Sequence, residues 1–162
     1  MRLALLALAA LLAGCADSAS PPEPTPEAGG ANVPFRIDGT LSFVRGADTL
    51  KTIDVEVADT DSSRGRGLMQ RRNIPADTGM LFVFPSASPQ AFYMANTPTS
   101  LDIQFYAADS TLINIAESTT PYSYDNVFSD GPAQFVVEVA AGYSRRIGLV
   151  AGDRITWDVD GR

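Results

Sequence analysis

Any chemistry in this sequence has to come from carboxylates, arginines, hydroxyls and amides, because its 162 residues include no histidine and a single cysteine. Without an imidazole there is neither a Ser-His-Asp triad nor a His-ligated zinc or iron site. One thiol cannot close an internal disulfide or hold an iron–sulfur cluster. Two acids sit inside apolar runs, Asp102 in L-D-I-Q-F and Glu138 in F-V-V-E-V. On an alternating strand such an acid faces water. If both instead face one cleft about 5 to 9 Å apart, they could serve as the acid and base of a glycosidase. Arg64 and Arg71 lie seven apart, two helical turns, so both could point along one helix face toward a carboxylate-bearing ligand. Alternatively they pair with Asp102 or Glu138 and tie the helix to the sheet. Met69, Met80 and Met94, with Phe82, Phe84, Phe92 and Tyr93, are material for an adaptable apolar pocket wall. Alternation in G-M-L-F-V-F puts Met80, Phe82 and Phe84 on one sheet face, as a core requires. Asn96-Thr97-Pro98 reads as a turn, with the Asn96 amide available to orient a ligand beside a pocket.

Metal and nucleotide chemistry find little support. Asp59-Thr60-Asp61-Ser62-Ser63 opens like a calcium loop, but Arg64 stands where the sixth-position glycine is required and Gln70 where the glutamate is required. Gly65-x-Gly67 lacks the third glycine of a dinucleotide fingerprint. The formal charge of −7 argues against nucleic acid as a partner. No cofactor is implied.

The N-terminus supplies an address. Met1 and Arg2 precede eleven consecutive Leu and Ala residues, Leu3 to Ala13, the length of a signal-peptide apolar region and short of the about 20 residues that span a bilayer. Leu12-Ala13-Gly14-Cys15 resembles the lipobox of bacterial lipoproteins, which implies a signal peptide over 1–14 and a lipidated Cys15 anchored in a membrane. Asp17, one position removed from the residue after the cysteine, resembles outer-membrane sorting where a cell has that membrane. The expected location is therefore the cell envelope, on the periplasmic face of the outer membrane or the cell surface. Residues 16–34 contain five prolines and almost no large apolar side chain, a tether that reaches up to roughly 60 Å if extended.

From residue 35 the pattern is that of a single β-rich domain running to 162. Strands are expected at 40–45, 50–58, 80–84, 91–94, 101–107, 112–117, 134–139 and 155–160, the first two paired as a hairpin over Gly46-Ala47-Asp48. Thr60 as N-cap and Asp61 in the first turn predict a helix over about 61–71, weakened by Gly65 and Gly67. A second helical turn fits 142–147. The fold class is mainly β, or β-rich α+β: a compact, mostly antiparallel barrel or sandwich-like domain with one or two short helices.

Val57-Ala58-Asp59-Thr60, Arg64 to Met69, Gly79 to Phe84, Phe92 to Thr97, Leu101-Asp102-Ile103, Val137-Glu138-Val139 and Gly152-Asp153 occur in an order that resembles the domain of unknown function 192 family. The combination of G-L-M, G-M-L-F-x-F and M-x-N-T carries the resemblance, which spans roughly residues 50–160. It implies a compact mainly β domain and brings no agreed activity. Tyr93 stands where the family usually has Trp, Ala95 where it often has Lys, and Ser63 where it often has Glu.

Two function classes follow. One is a non-catalytic lipoprotein module that binds a small ligand, a glycan or an envelope protein through Arg64, Arg71, Tyr93, Met94 and Asn96. The other is an envelope hydrolase working through Asp102 and Glu138. The absence of His and of a usable Cys favours binding.

Overall fold

The computed structural model describes residues 33–159. The expected signal peptide, Cys15 and the expected tether up to residue 32 lie outside the described residues. Seven strands form: β1 Gly39–Arg45, β2 Asp48–Ala58, β3 Thr78–Phe92, β4 Leu101–Tyr106, β5 Leu112–Ala116, β6 Val127–Ala140 and β7 Arg154–Val159. Helix α1, Asp61–Arg66, lies between β2 and β3, and α2, Tyr143–Arg146, lies between β6 and β7. All the strands join one sheet in the order β5-β4-β6-β3-β2-β1-β7. Every pairing is antiparallel except β2 with β3.

The sheet curls into a half-barrel, which is the mainly β, barrel-like class that the alternation predicts. At one end its two edges touch. Thr111 bridges to Arg154, and Leu112 N–H donates to the Asp153 carbonyl at 2.7 Å. Asp153 locks this seam by taking both Arg45 Nε (2.7 Å) and Nη2 (2.8 Å), which holds its carboxyl below the usual carboxylate range. Paired edges remove a template for aggregation.

Two expected elements differ. The strands expected at 80–84 and 91–94 are parts of one long β3, whose ladder with β6 breaks register between Val83 and Ser88 and again between Pro89 and Ala91. Pro85 and Pro89 fall at these irregularities, where a missing N–H interrupts little. The helix expected over about 61–71 stops at Arg66. Thr60 does cap it, through the expected hydrogen bond from Ser63 N–H at 3.1 Å, but Gly67 then adopts φ 48° and ψ −138° and turns the chain onto the sheet.

Both faces of the sheet are buried over its middle strands, while outward residues of β1 and β7 such as Thr40, Thr156 and Asp158 stay exposed. On the inner face Leu41, Ile53, Val55, Leu81, Val137 and Val139 form one core. On the outer face Leu68, Ile74, Met80, Phe82, Ile103 and Val136 form a second, roofed by the chain between β2 and β3. Neither Asp102 nor Glu138 therefore faces water. Asp102 sits opposite Val139 and points inward; Glu138 sits opposite Ile103 and points outward.

Asp102 is fully buried and completely engaged: Ser118 N–H and Gly142 N–H donate to Oδ1, and Ser144 N–H to Oδ2, each at 3.0 Å. It thereby holds the loop after β5 and the turn into α2, where Gly142 needs its left-handed φ of 77°. Asp102→Ala strands three backbone donors and is expected to destabilise the domain by about 3 kcal/mol or more. Urea unfolding with an unchanged m-value checks this, and a loss below about 1 kcal/mol contradicts the clamp.

Candidate functional site

One row of residues crosses the outer face. Glu56 on β2 lies opposite Met80 on β3, Met80 opposite Glu138 on β6, and Glu138 opposite Ile103 on β4. Strand spacing puts the Glu56 and Glu138 backbones about 10 Å apart. Over this row passes the segment that follows α1. Gly67 comes so close that a Cβ there would stand 3.3 Å from Phe82 Cζ and 3.7 Å from Glu138 Oε2.

Glu138 is buried, and its Oε2 has no hydrogen-bond partner. Burial pushes its carboxyl up to about 8, with the Leu68 backbone N–H and the Arg71 charge pulling the other way. At neutral pH it is therefore mostly a carboxylic acid and a hydrogen-bond donor. It lines a cavity of about 250 Å³ with Gly67, Leu68, Phe82, Phe92 and Tyr93, and with Arg64, Arg66 and Gln90 toward the rim. Phe92 stands edge-on to Phe82, Phe84 and Phe105, with ring centroids 5.1, 6.4 and 5.9 Å away. This makes one wall a rigid aromatic cluster.

The expected site residues separate. Arg64 and Tyr93 line the Glu138 cavity. Arg64 is already occupied: its Nη1 donates to the carbonyls of Asp59 (2.5 Å) and Val83 (2.8 Å), its Nη2 to Asp61, and its guanidinium lies 5.4 Å from the Phe84 ring centre. It fastens α1 to β3 at the rim. Arg71 lies beyond the end of the helix, so the two arginines do not share a helix face. It pairs with Glu56 (2.8 Å), not with Asp102 or Glu138, and lines a second cavity.

Met94 is core, and Asn96 is an exposed turn residue at φ 59° whose carbonyl accepts from Gln70 N–H at 2.8 Å. Asp102 and Glu138 lie on opposite faces and form no pair. Glu56, Gly67, Leu68 and Gln90 were not legible as site residues. In I-D-V-E-V-A, Glu56 alternates like a solvent-facing acid, and only the roof above β2 buries it.

A family model described as "Uncharacterized ACR", DUF192, matches residues 43–157. The chain belongs to the DUF192 family. Among solved structures, this DUF192 chain is similar to a "putative transcription regulator (R01717)" from Sinorhizobium meliloti 1021. The two share 35% identity over 74% of this chain and 92% of that one, with a TM-score of 0.70. It is also similar to a protein of unknown function from Novosphingobium aromaticivorans DSM 12444, at 29% identity over 73% and 84% of the two chains and a TM-score of 0.69. No curated protein matches. The segments that carry the DUF192 resemblance, G-L-M, G-M-L-F-x-F and M-x-N-T, are separate pieces of residues 67–97, and each contributes to the Glu138 cavity through Gly67 to Met69, Phe82 and Phe84, and Thr97.

The raised Glu138 carboxyl has a consequence for stability. A proton is held more tightly folded than unfolded, so the contribution is complete below about pH 4.5 and is lost as pH rises through about 8. Glu138→Gln removes the titration and is expected to gain on wild type between these limits, by at most about 5 kcal/mol. Denaturant midpoints across this range check it, and parallel pH profiles contradict it.

Proposed function

We propose that this DUF192 protein is an envelope-anchored lipoprotein whose domain binds a small ligand, without catalysis, in the cavity floored by Glu138. The observation that carries the reading is the convergence of three separated family segments on a cavity whose floor holds a buried carboxyl oxygen without a partner. Sites for small molecules are concave and mostly apolar, with few polar groups. A neutral Glu138 donates one hydrogen bond at the floor. The ligand that fits has an apolar body to lie against Phe82, Phe92 and Tyr93, and a carbonyl, ether or hydroxyl oxygen to accept from Glu138.

A carboxylate-pair hydrolase is less well supported. Glu138 is the one carboxylate among the residues lining the cavity, and Asp102 is spent on three backbone donors behind the sheet. Transcription regulation, as in the description of the Sinorhizobium protein, is less well supported too. A net charge of −7 opposes a phosphate backbone, and among the described residues the two helices, of six and four residues, are too short to be a recognition helix. The envelope address rests on the L-A-G-C segment and the Pro-rich stretch after it.

Thermal unfolding of the chain without residues 1–15, scanned against neutral sugars, lactones, amides and peptides, tests the binding half. A ligand at about 100 times its Kd stabilises by about 2.7 kcal/mol, several degrees for a domain of this size. The shift should fall in Tyr93→Ala, whereas a panel with no shift removes the reading. For the anchor, Cys15→Ser should accumulate precursor without acyl label, and labelling equal to wild type refutes it.

A further inference from the structure

On the other side of the Arg66-Gly67 wall lies a second cavity, of about 380 Å³, between the outer face of β2, α1 and residues 33–36. Its charge is opposite to that of the chain as a whole. Arg36, Arg66 and Arg71 line it with one acid, Glu56, and the Arg36 guanidinium is already held by Asp38 (2.6 and 2.7 Å) and the Val57 carbonyl (3.1 Å). Glu56 Oε2 accepts both Arg71 Nη2 (2.8 Å) and the Arg36 backbone N–H (3.0 Å).

Arg71 is the unusual member. It is 3% exposed, its guanidinium lies 4.4 Å from the Phe35 ring centre, and its Nε and Nη1 have no hydrogen-bond partner. A buried guanidinium with idle donors is costly until something accepts from them. Arg66 is exposed, and its side chain makes no ion pair or hydrogen bond among the described residues. Ser62 adds a hydroxyl at the same wall.

We propose that this second cavity is a binding site for a small phosphoryl anion, held by Arg71 and Arg66. The idle Nε and Nη1 of Arg71, the Arg66 guanidinium and the Ser62 hydroxyl together suit a tetrahedral group with oxygens in several directions better than a planar carboxylate, which a single guanidinium satisfies. Glu56 offsets Arg71 and Asp38 offsets Arg36, which leaves the charge of Arg66 for the ligand. The site is distinct from the Glu138 cavity and does not depend on what occupies that one.

Calorimetric titration of the full chain in neutral detergent with inorganic phosphate, with acetate in a parallel arm, tests the site. Saturable phosphate binding is expected, tighter than acetate. Arg66→Gln should weaken it about tenfold, as the loss of one charge-assisted contact does. Arg145→Gln, an equal charge change on exposed α2, should leave it unchanged. Since removing Arg71 alone leaves the buried Glu56 charge without its cation, the double variant Glu56→Gln with Arg71→Met replaces the buried pair together. It should unfold cooperatively yet lose phosphate binding. No saturable heat up to about 10 mM phosphate, acetate binding as tight as phosphate, equal weakening by Arg145→Gln, or a folded double variant that binds like wild type would each overturn the proposal.

Discussion

β2 and β3 run parallel, and that one pairing forces the chain between them to travel back along the sheet before the next strand can be added. The neighbouring pair β1 and β2 needs only a tight turn at Gly46. Residues 59–77 make the return journey across the outer face and bring α1, Gly67, Leu68 and Arg71 with them. A face that hairpins alone would leave to water becomes a second core. Burying Leu68, Met80 and Phe82 there contributes about 1.5–3 kcal/mol each, which offsets the ordering of the crossover. Both cavities are gaps between this crossover and the sheet, so the same topological constraint sets their place.

The crossover also decides the electrostatics. It covers two carboxylates that strand alternation would otherwise leave in water, and the protein deals with them differently. Glu56 receives a cation, Arg71, at 2.8 Å. Glu138 receives none in contact and keeps its proton instead, because ionising a buried carboxyl with no cation beside it costs more than binding a proton at neutral pH. A buried ion pair is weak evidence for stability, since apolar residues of similar volume often serve as well. The row Glu56, Met80, Glu138 is therefore better explained by what it presents to the two cavities than by what it adds to the fold.

Much of the fold is legible residue by residue. Ile53, Val55 and Val57 alternate with Asp54 and Glu56, Gly46 marks the turn, and Thr60 with Asp61 marks a helix start; each reading matches the structure. What local pattern does not carry is register and what lies above a strand. Pro85 and Pro89 look like a break, yet β3 continues through them because its ladder with β6 shifts register at both. Asp102 and Glu138 look equivalent in their apolar runs. Pairing Asp102 with Val139 and Ile103 with Glu138 sends them to opposite faces, and no reading of either segment alone contains that fact. The aromatic and methionine residues set out as wall or core divide between the two roles. Phe82 is both, almost fully buried and still part of the cavity floor, while Met94 is buried away from the Glu138 cavity and lines a separate one beside Ala116 and Val127.

The two cavities share a wall at Arg66 and Gly67, and they also share a charge. Arg71 donates to Glu56 on one side, and its field lowers the proton affinity of Glu138 on the other. An anion held by Arg71 would neutralise part of that field, so Glu138 would bind its proton more tightly and donate a hydrogen bond over a wider pH range. By reciprocity, ionising Glu138 would weaken the anion. Coulomb interaction across such a distance in a medium between water and dry protein amounts to about one kcal/mol, enough to bias occupancy without moving the backbone. Coupling of this kind needs no conformational switch. It follows from placing one arginine, on one crossover, between two acids on the same face of a sheet.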